Sequence, residues 1–253
     1  MNDNNQAWES YSQEYQCNCF CAEYDFHYAL CIGGEKDYRL LPDLEGTNVC
    51  DVGSGTGENA AYLAKSARVV VGIDPSIRFV ETASERYKEL KNLSFKCADF
   101  LNFEIETDGP KQFDLITFIQ SLDYMVLNSA FFSKLDAITR RGSRIVISRM
   151  HPMWTTLFDH ELDEVHLERS YFYSRVDRVS YGKSSFLRVH YSLDELIESF
   201  AVNGWHLERL KEPRPVPKER AALIMGQCYE DDLLMKRMSR YPMTLLMRFE
   251  RID

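Results

Sequence analysis

Residues 49–57 read Val-Cys-Asp-Val-Gly-Ser-Gly-Thr-Gly, and no other stretch of this 253-residue chain constrains its fold as tightly. A short apolar run ending at Val52 breaks into a turn with glycines at 53, 55 and 57, and Glu58-Asn-Ala-Ala61 opens a helix. Glycine takes positive φ and carries no Cβ, so such a turn lets the backbone come into contact with a ligand. A second apolar run, Val69-Val-Val-Gly-Ile-Asp74, ends on a carboxylate about twenty residues after the first glycine, where it can accept both hydroxyls of a ribose. Together the two segments predict a parallel α/β sheet with an adenosine-type cofactor at the carboxyl ends of its strands.

The third glycine narrows the cofactor. A dinucleotide fingerprint is spaced G-x-G-x-x-G, whereas this turn is G-x-G-x-G with Glu58 in the place of the last glycine. A carboxylate at that helix start would repel a pyrophosphate. With Asp51 two residues before the first glycine, the run Asp51-Val-Gly-Ser-Gly-Thr-Gly57 resembles motif I of the class I S-adenosylmethionine-dependent methyltransferases. Their cofactor is cationic at sulfur and carries an ammonium group, so acids are welcome beside it. Gly57-Glu-Asn-Ala-Ala-Tyr-Leu-Ala-Lys65, Gly72-Ile-Asp-Pro-Ser76, Cys97-Ala-Asp99, Phe113-Asp-Leu-Ile116, Ser148-Arg-Met-His-Pro152 and Leu210-Lys-Glu-Pro-Arg-Pro215 are similar, in order and rough spacing, to a small-molecule group of that class.

The resemblance implies a doubly wound, mostly parallel, seven-stranded sheet with an N-terminal helical cover and a lid inserted after strand five. It implies one domain, in which 1–45 cover the site, 46–149 bind the cofactor, 150–190 form the substrate lid and 191–253 complete the sheet. S-adenosylmethionine is then held by Asp51, Gly53, Ser54, Gly55, Gly57, Asp74, Pro75, Ser76, Asp99, Phe100, Gln120 and Ser121. Tyr28 joins them from Asp25-Phe-His-Tyr28, which with Gly33-Gly-Glu35 is similar to a pattern found just ahead of motif I; here Ala29 replaces a glycine.

Composition bounds the rest. A hydrophobic fraction of 45% and a charged fraction of 27% are those of a soluble globular protein, and this length fits one α/β core with decorations. No apolar run reaches the roughly twenty residues of a membrane span, and the amino end lacks the pattern of a signal peptide, so a cytoplasmic location is expected. A net charge of −9 argues against a protein that neutralises phosphates, and hence against nucleic acid. Cys50 and Cys97 fall in expected central strands as small buried hydrophobes. Cys17, Cys19 and Cys21 alternate with other residues, unlike the paired spacing of zinc sites, although with Cys31 they could just supply four thiolates. No metal is expected.

Along the chain, Trp8–Tyr15 has the pattern of an amphipathic helix. Strands ending near Val52, Ile73, Cys97, Ile119 and Ile147 alternate with helices at about 57–66, 76–91 and 128–139, as a parallel sheet requires. The stretches 169–181 and 186–191 read as a hairpin around Gly182-Lys-Ser-Ser185. A helix over 193–203 is capped by Ser192, with Glu195 three residues later. Strands follow at 205–210 and 243–250, with a helical stretch at 219–240 between them.

Transfer from a sulfonium leaves a neutral leaving group, so the protein mainly aligns the reactants and excludes water. A carboxylate nucleophile needs no base; a phenol, alcohol or ammonium does. His151, after strand five, His190, before a helix start, and His27 are the base candidates, with a structural role the alternative for each. Trp154, Tyr173, Tyr124 and His27 are candidates for the acceptor pocket, whose aromatic content favours an apolar or aromatic acceptor. No Asp/Asn-Pro-Pro-Tyr/Phe appears, and Ser121-Leu-Asp-Tyr124 stands where a Pro-Cys nucleophile would. The expectation is a monomer or homodimer that methylates a small molecule, with oxygen slightly favoured over nitrogen as the receiving atom. A tRNA or peptide methyltransferase and a noncatalytic cofactor-binding scaffold are the alternatives.

Overall fold

The structure, a computed structural model, describes residues 2–14, 24–105, 109–158, 165, 169–172, 175–225 and 232–252. Helices α1 (Asn2–Glu14) and α2 (Glu35–Tyr38) precede the alternation β1 (Asn48–Val52), α3 (Glu58–Ala64), β2 (Val69–Asp74), α4 (Ile77–Arg86), β3 (Leu93–Cys97) and β4 (Leu115–Ile119). There follow α5 (Ser129–Ile138), β5 (Arg144–Met150), α6 (Pro152–Leu157), the hairpin β6 (Arg175–Tyr181) and β7 (Ser184–His190), then α7 (Leu193–Ala201), β8 (Trp205–Lys211), α8 (Lys218–Met225), α9 (Asp232–Met238) and β9 (Thr244–Arg251).

Seven strands form one sheet in the order β3-β2-β1-β4-β5-β9-β8. All neighbours are parallel until β9, which runs antiparallel to both β5 and β8. The order reverses between β1 and β4, which opens a crevice at their carboxyl ends. Every residue of β1 is buried, because helices cover both faces of the sheet. The period of two is visible in β5: Ile145 and Ile147 join the core with Phe118, Phe131 and Phe249, whereas Val146 faces the opposite core with Leu63, Val70 and Leu246. Each such side chain, fully buried, contributes about 1.5–3 kcal/mol.

Ser192 caps α7 and forms the reciprocal box with Glu195. The hairpin pairs Tyr181 with Ser184 across a tight turn, and Gly182 takes φ 57° there. One strand assignment needs correction: β3 is the sheet edge, not a central strand, and Cys97 at its end is exposed. The expected helix at 76–91 stops at Arg86, where Tyr87 leaves helical geometry. Among the described residues no helix is long and apolar enough to cross a membrane. Cys17, Cys19 and Cys21 lie outside the described residues.

Candidate active site

The glycine turn is tied to the end of β2. Gly53 and Ser54 donate their N–H groups to the Ile73 carbonyl, at 2.8 and 3.0 Å. Gly55 N–H donates to Asp74 Oδ2 and Ser76 N–H to Asp74 Oδ1, each at 2.9 Å. Each carboxylate oxygen is therefore oriented by one backbone donor and keeps lone pairs for a ligand. Gly55 has φ 53° and open space where a Cβ would stand, whereas a Cβ on Gly53 would meet the Ser121 side chain at 2.5 Å. One glycine leaves room for a ligand, and the other lets the turn approach the loop after β4.

A cavity of about 850 Å³ opens here, near the upper end of the range for ligand sites. Of the expected cofactor residues, Asp51, Gly53, Ser54, Gly55, Asp74, Pro75, Asp99, Phe100, Gln120 and Ser121 line it. Burial raises Asp51 and Asp74 to about 6 each, against the hydrogen bonds they accept. Thr117 Oγ1 donates to Asp51 at 2.6 Å, and Asn5 and Asn102 both donate to Asp99 Oδ2, at 3.3 and 2.7 Å. Gln120 holds the left-handed conformation at φ 57°, which costs a non-glycine residue about 1–2 kcal/mol. Its amide donates to Ser148 Oγ at 2.8 Å, which helps to hold that backbone in place.

Three expected contacts are not brought to the cavity. Tyr28 is fully buried, and its hydroxyl donates to Glu35, whose carboxylate also accepts from the Leu40 and Leu41 N–H groups. Gly57 begins α3 at φ 87°, where a Cβ would meet the Phe95 ring at 2.6 Å. Ser76 caps α4 by accepting from Phe79 N–H, and its hydroxyl donates to Glu9 of α1 at 2.7 Å.

His151 and His190 are both placed away from the cavity lining, each in a hydrogen-bonded setting that fits the structural alternative. His151 Nδ1 accepts from Met153 N–H at 3.0 Å, and its Nε2 lies 2.8 Å from Glu212 Oε1. Burial lowers its pKa, only partly opposed by Glu212, and the ring serves as the N-cap of α6. His190 sits between Thr155 Oγ1 at 2.9 Å and the Tyr171 carbonyl at 3.1 Å. Neither lines the cavity.

Trp154, Tyr124 and His27 do line it, and Tyr173 lies outside the described residues. His27 is the histidine of this wall; burial lowers its pKa to about 4, and its Nδ1 has no hydrogen-bond partner. Asn4, Asn5, Asp123 and Arg188 also line it without having been singled out from the sequence, beside Tyr181 of the expected aromatic set. An aromatic cluster closes one side: Trp8 lies 4.3 Å from Phe186 and 5.0 Å from Tyr124 between ring centroids, and the Tyr124 and Tyr181 hydroxyls are 3.1 Å apart.

These groups suit S-adenosylmethionine. Buried acids at Asp51 and Asp74 match a ligand with a sulfonium and an ammonium, and the oriented Asp74 carboxylate matches ribose hydroxyls. The unpartnered Ser54 hydroxyl supplies a further polar contact beside the glycine turn.

The sequence profile of the methyltransferase domain family matches residues 43–187. The ubiquinone biosynthesis O-methyltransferase of Coxiella burnetii is 28% identical over 109 residues, 43% of this chain and 45% of that protein. The enzyme of the same name from Rhodopseudomonas palustris is 24% identical over 127 residues, 50% of this chain and 49% of that protein. The chain thus spans about half the length of the curated relatives it matches. An S-adenosylmethionine-dependent methyltransferase structure from Mesorhizobium loti superposes with a TM-score of 0.68 at 19% identity, covering 84% of this chain and 94% of that one. Strand order, glycine turn and family profile agree: the chain belongs to the methyltransferase domain family and has the class I fold of the S-adenosylmethionine-dependent methyltransferases.

Proposed function

We propose that this protein transfers a methyl group from S-adenosylmethionine to a small-molecule acceptor, with oxygen the favoured receiving atom. One observation carries the reading: the glycine turn and Asp74 line the same cavity as the aromatic wall of Trp8, Tyr124 and Trp154. Two curated relatives named as O-methyltransferases support oxygen. The bound cofactor supplies an electrophilic methyl group whose leaving sulfur departs neutral. Asp74 orients the ribose, Asp51 and Asp99 hold the cofactor's polar ends, and Trp8 and Trp154 exclude water from the point of transfer.

Among the described residues no strong base lines this cavity. His27, at about 4, accepts a proton from a phenol poorly, and the Tyr124 phenol is pushed well above its ordinary value, first by burial. The reading therefore favours an acceptor already ionised at neutral pH. Residues 150–190 form the acceptor cover in this proposal, a reading supported by Trp154, Tyr181 and Arg188 on the cavity lining. A cytoplasmic location and a free acceptor, rather than nucleic acid, belong to the same proposal; the free thiols of Cys50 and Cys97 and the net charge of −9 support them. Titration calorimetry checks the cofactor: micromolar binding of S-adenosylmethionine and S-adenosylhomocysteine without NAD binding is expected, and the reverse would refute the reading.

A further inference from the structure

Arg188 breaks the charge pattern of the cavity. Asp51, Glu58, Asp74, Asp99 and Asp123 make the wall acidic, and among the described residues Arg188 is its one arginine or lysine. It is 3% exposed, and its Nε finds no hydrogen-bond partner. The nearby Asp123 is engaged elsewhere, paired with Arg149 at 2.8 Å. A guanidinium taken out of water with no counter-charge is strongly destabilising. A ligand that brings the missing charge removes that penalty.

The strand decides what lies beside it. Phe186 and Arg188 share one face of β7, so the cation stands next to the cluster of Trp8, Tyr124, Tyr181 and Phe186, whose Tyr181 and Phe186 rings are 5.3 Å apart. Arg188 is close enough to Tyr124 that its charge pulls the phenol pKa down against burial, Tyr181 and Asp123. Gly55 and Asp74 belong to the β1–β2 side of the crevice, whereas Arg188 enters from the hairpin. We propose that Arg188 anchors a carboxylate carried by the methyl acceptor, whose aromatic or apolar body lies against Trp8 and Phe186; this rests on the reading of the cavity as a methyl-transfer site. The planar guanidinium fits a carboxylate with two parallel hydrogen bonds. One cation among five acids disfavours a dianion such as a phosphate monoester.

The test is calorimetry on the full chain with S-adenosylhomocysteine present. The probes are 4-hydroxybenzoate, 4-hydroxycinnamate and decanoate, each compared with its primary amide. At least one acid is expected to bind tenfold or more tightly than its amide. Arg188→Gln is expected to abolish that preference, to leave S-adenosylhomocysteine affinity within twofold, and to melt no lower than the wild type. Should Arg188→Gln fail to fold, Arg188→Lys keeps the charge but loses the fork, and the preference is expected to fall severalfold.

Equal binding of acid and amide in every pair would overturn the proposal, as would a preference that survives in Arg188→Gln. A tenfold loss of S-adenosylhomocysteine affinity in Arg188→Gln, with acid binding intact, would assign the residue to the cofactor and overturn it too. A wild type that prefers acids through Arg188 yet ignores S-adenosylhomocysteine would refute the methyl-transfer reading and leave the anchor standing.

Discussion

Asn4 and Leu187 exchange two hydrogen bonds: the asparagine amide donates to the Leu187 carbonyl at 2.8 Å, and the Leu187 N–H donates to Asn4 Oδ1 at 2.7 Å. The side chain thus continues the β7 ladder onto α1 and fixes the helix over the cavity. Asn4→Ala leaves both Leu187 groups to find other partners, which is expected to loosen α1 by about 1–3 kcal/mol. Faster dissociation of S-adenosylhomocysteine in stopped-flow measurements, with the melting temperature of the sheet little changed, is the expected result.

Asp74→Ala is expected to weaken S-adenosylhomocysteine binding by about 1.5–3 kcal/mol, because charge-assisted hydrogen bonds to the ribose are lost. Asp99→Ala is expected to lose less, since Asp99 is already shared with Asn5 and Asn102. An unchanged dissociation constant for a folded Asp74→Ala protein would refute the placement of the ribose.

Stability without ligand is expected to fall with rising pH because of Asp51. Its folded pKa is about 6 against an ordinary value of 3.8, so the folded state binds more protons in that window, and raising the pH destabilises it by about 2–3 kcal/mol. Asp51→Asn removes the charge while its Oδ1 still accepts from Thr117. The stability difference, mutant minus wild type, is expected to grow from about pH 4 to about pH 6 and then level off, as followed by urea unfolding. A difference independent of pH would show that Asp51 ionises normally in the fold.

His151→Ala is expected to leave the shape of the pH–activity profile unchanged. With both ring nitrogens engaged, the change removes the α6 cap and the Glu212 contact, for about 1–2 kcal/mol of stability. A lost acidic limb in the profile of kcat/KM would return His151 to the role of base.

Trp154→Ala is expected to destabilise the fold by about 3–5 kcal/mol, because the ring is 3% exposed and packs on Phe158 with centroids 4.6 Å apart. Trp154→Phe is the better probe of function. Its KM for acceptor is expected to rise several-fold while cofactor affinity holds within twofold.

The cofactor half of the site was legible because its signals are local. Gly53 and Gly55 need positive φ within a few residues of β1, and Asp74 is placed by the end of the next strand. The roles of the histidines stayed open in the sequence because their partners are remote: Glu212 lies 61 residues beyond His151, and Thr155 lies 35 before His190. Tyr28 looked like a site residue until the fold brought Glu35 to its hydroxyl. Cys97 looked central because an apolar strand does not announce whether a neighbour will cover its outer edge. Arg188 was silent for a related reason: within Phe186-Leu-Arg-Val-His190 an arginine reads as the solvent side of an alternating strand, and only the packing of α1 and Tyr124 against β7 buries it.

Helix α1 touches both sides of the crevice, through Asn5 on Asp99 and Glu9 on Ser76 toward the cofactor and through Trp8 on Tyr124 and Asn4 on Leu187 toward the aromatic wall. A ligand on either side that steadies this helix would lower the ordering cost left for the other, so the expected outcome is that acceptor binding tightens when S-adenosylhomocysteine is present. By linkage such a gain is mutual, the same factor read from either side. A single helix would then make the two affinities one shared quantity, which neither ligand measured alone would reveal.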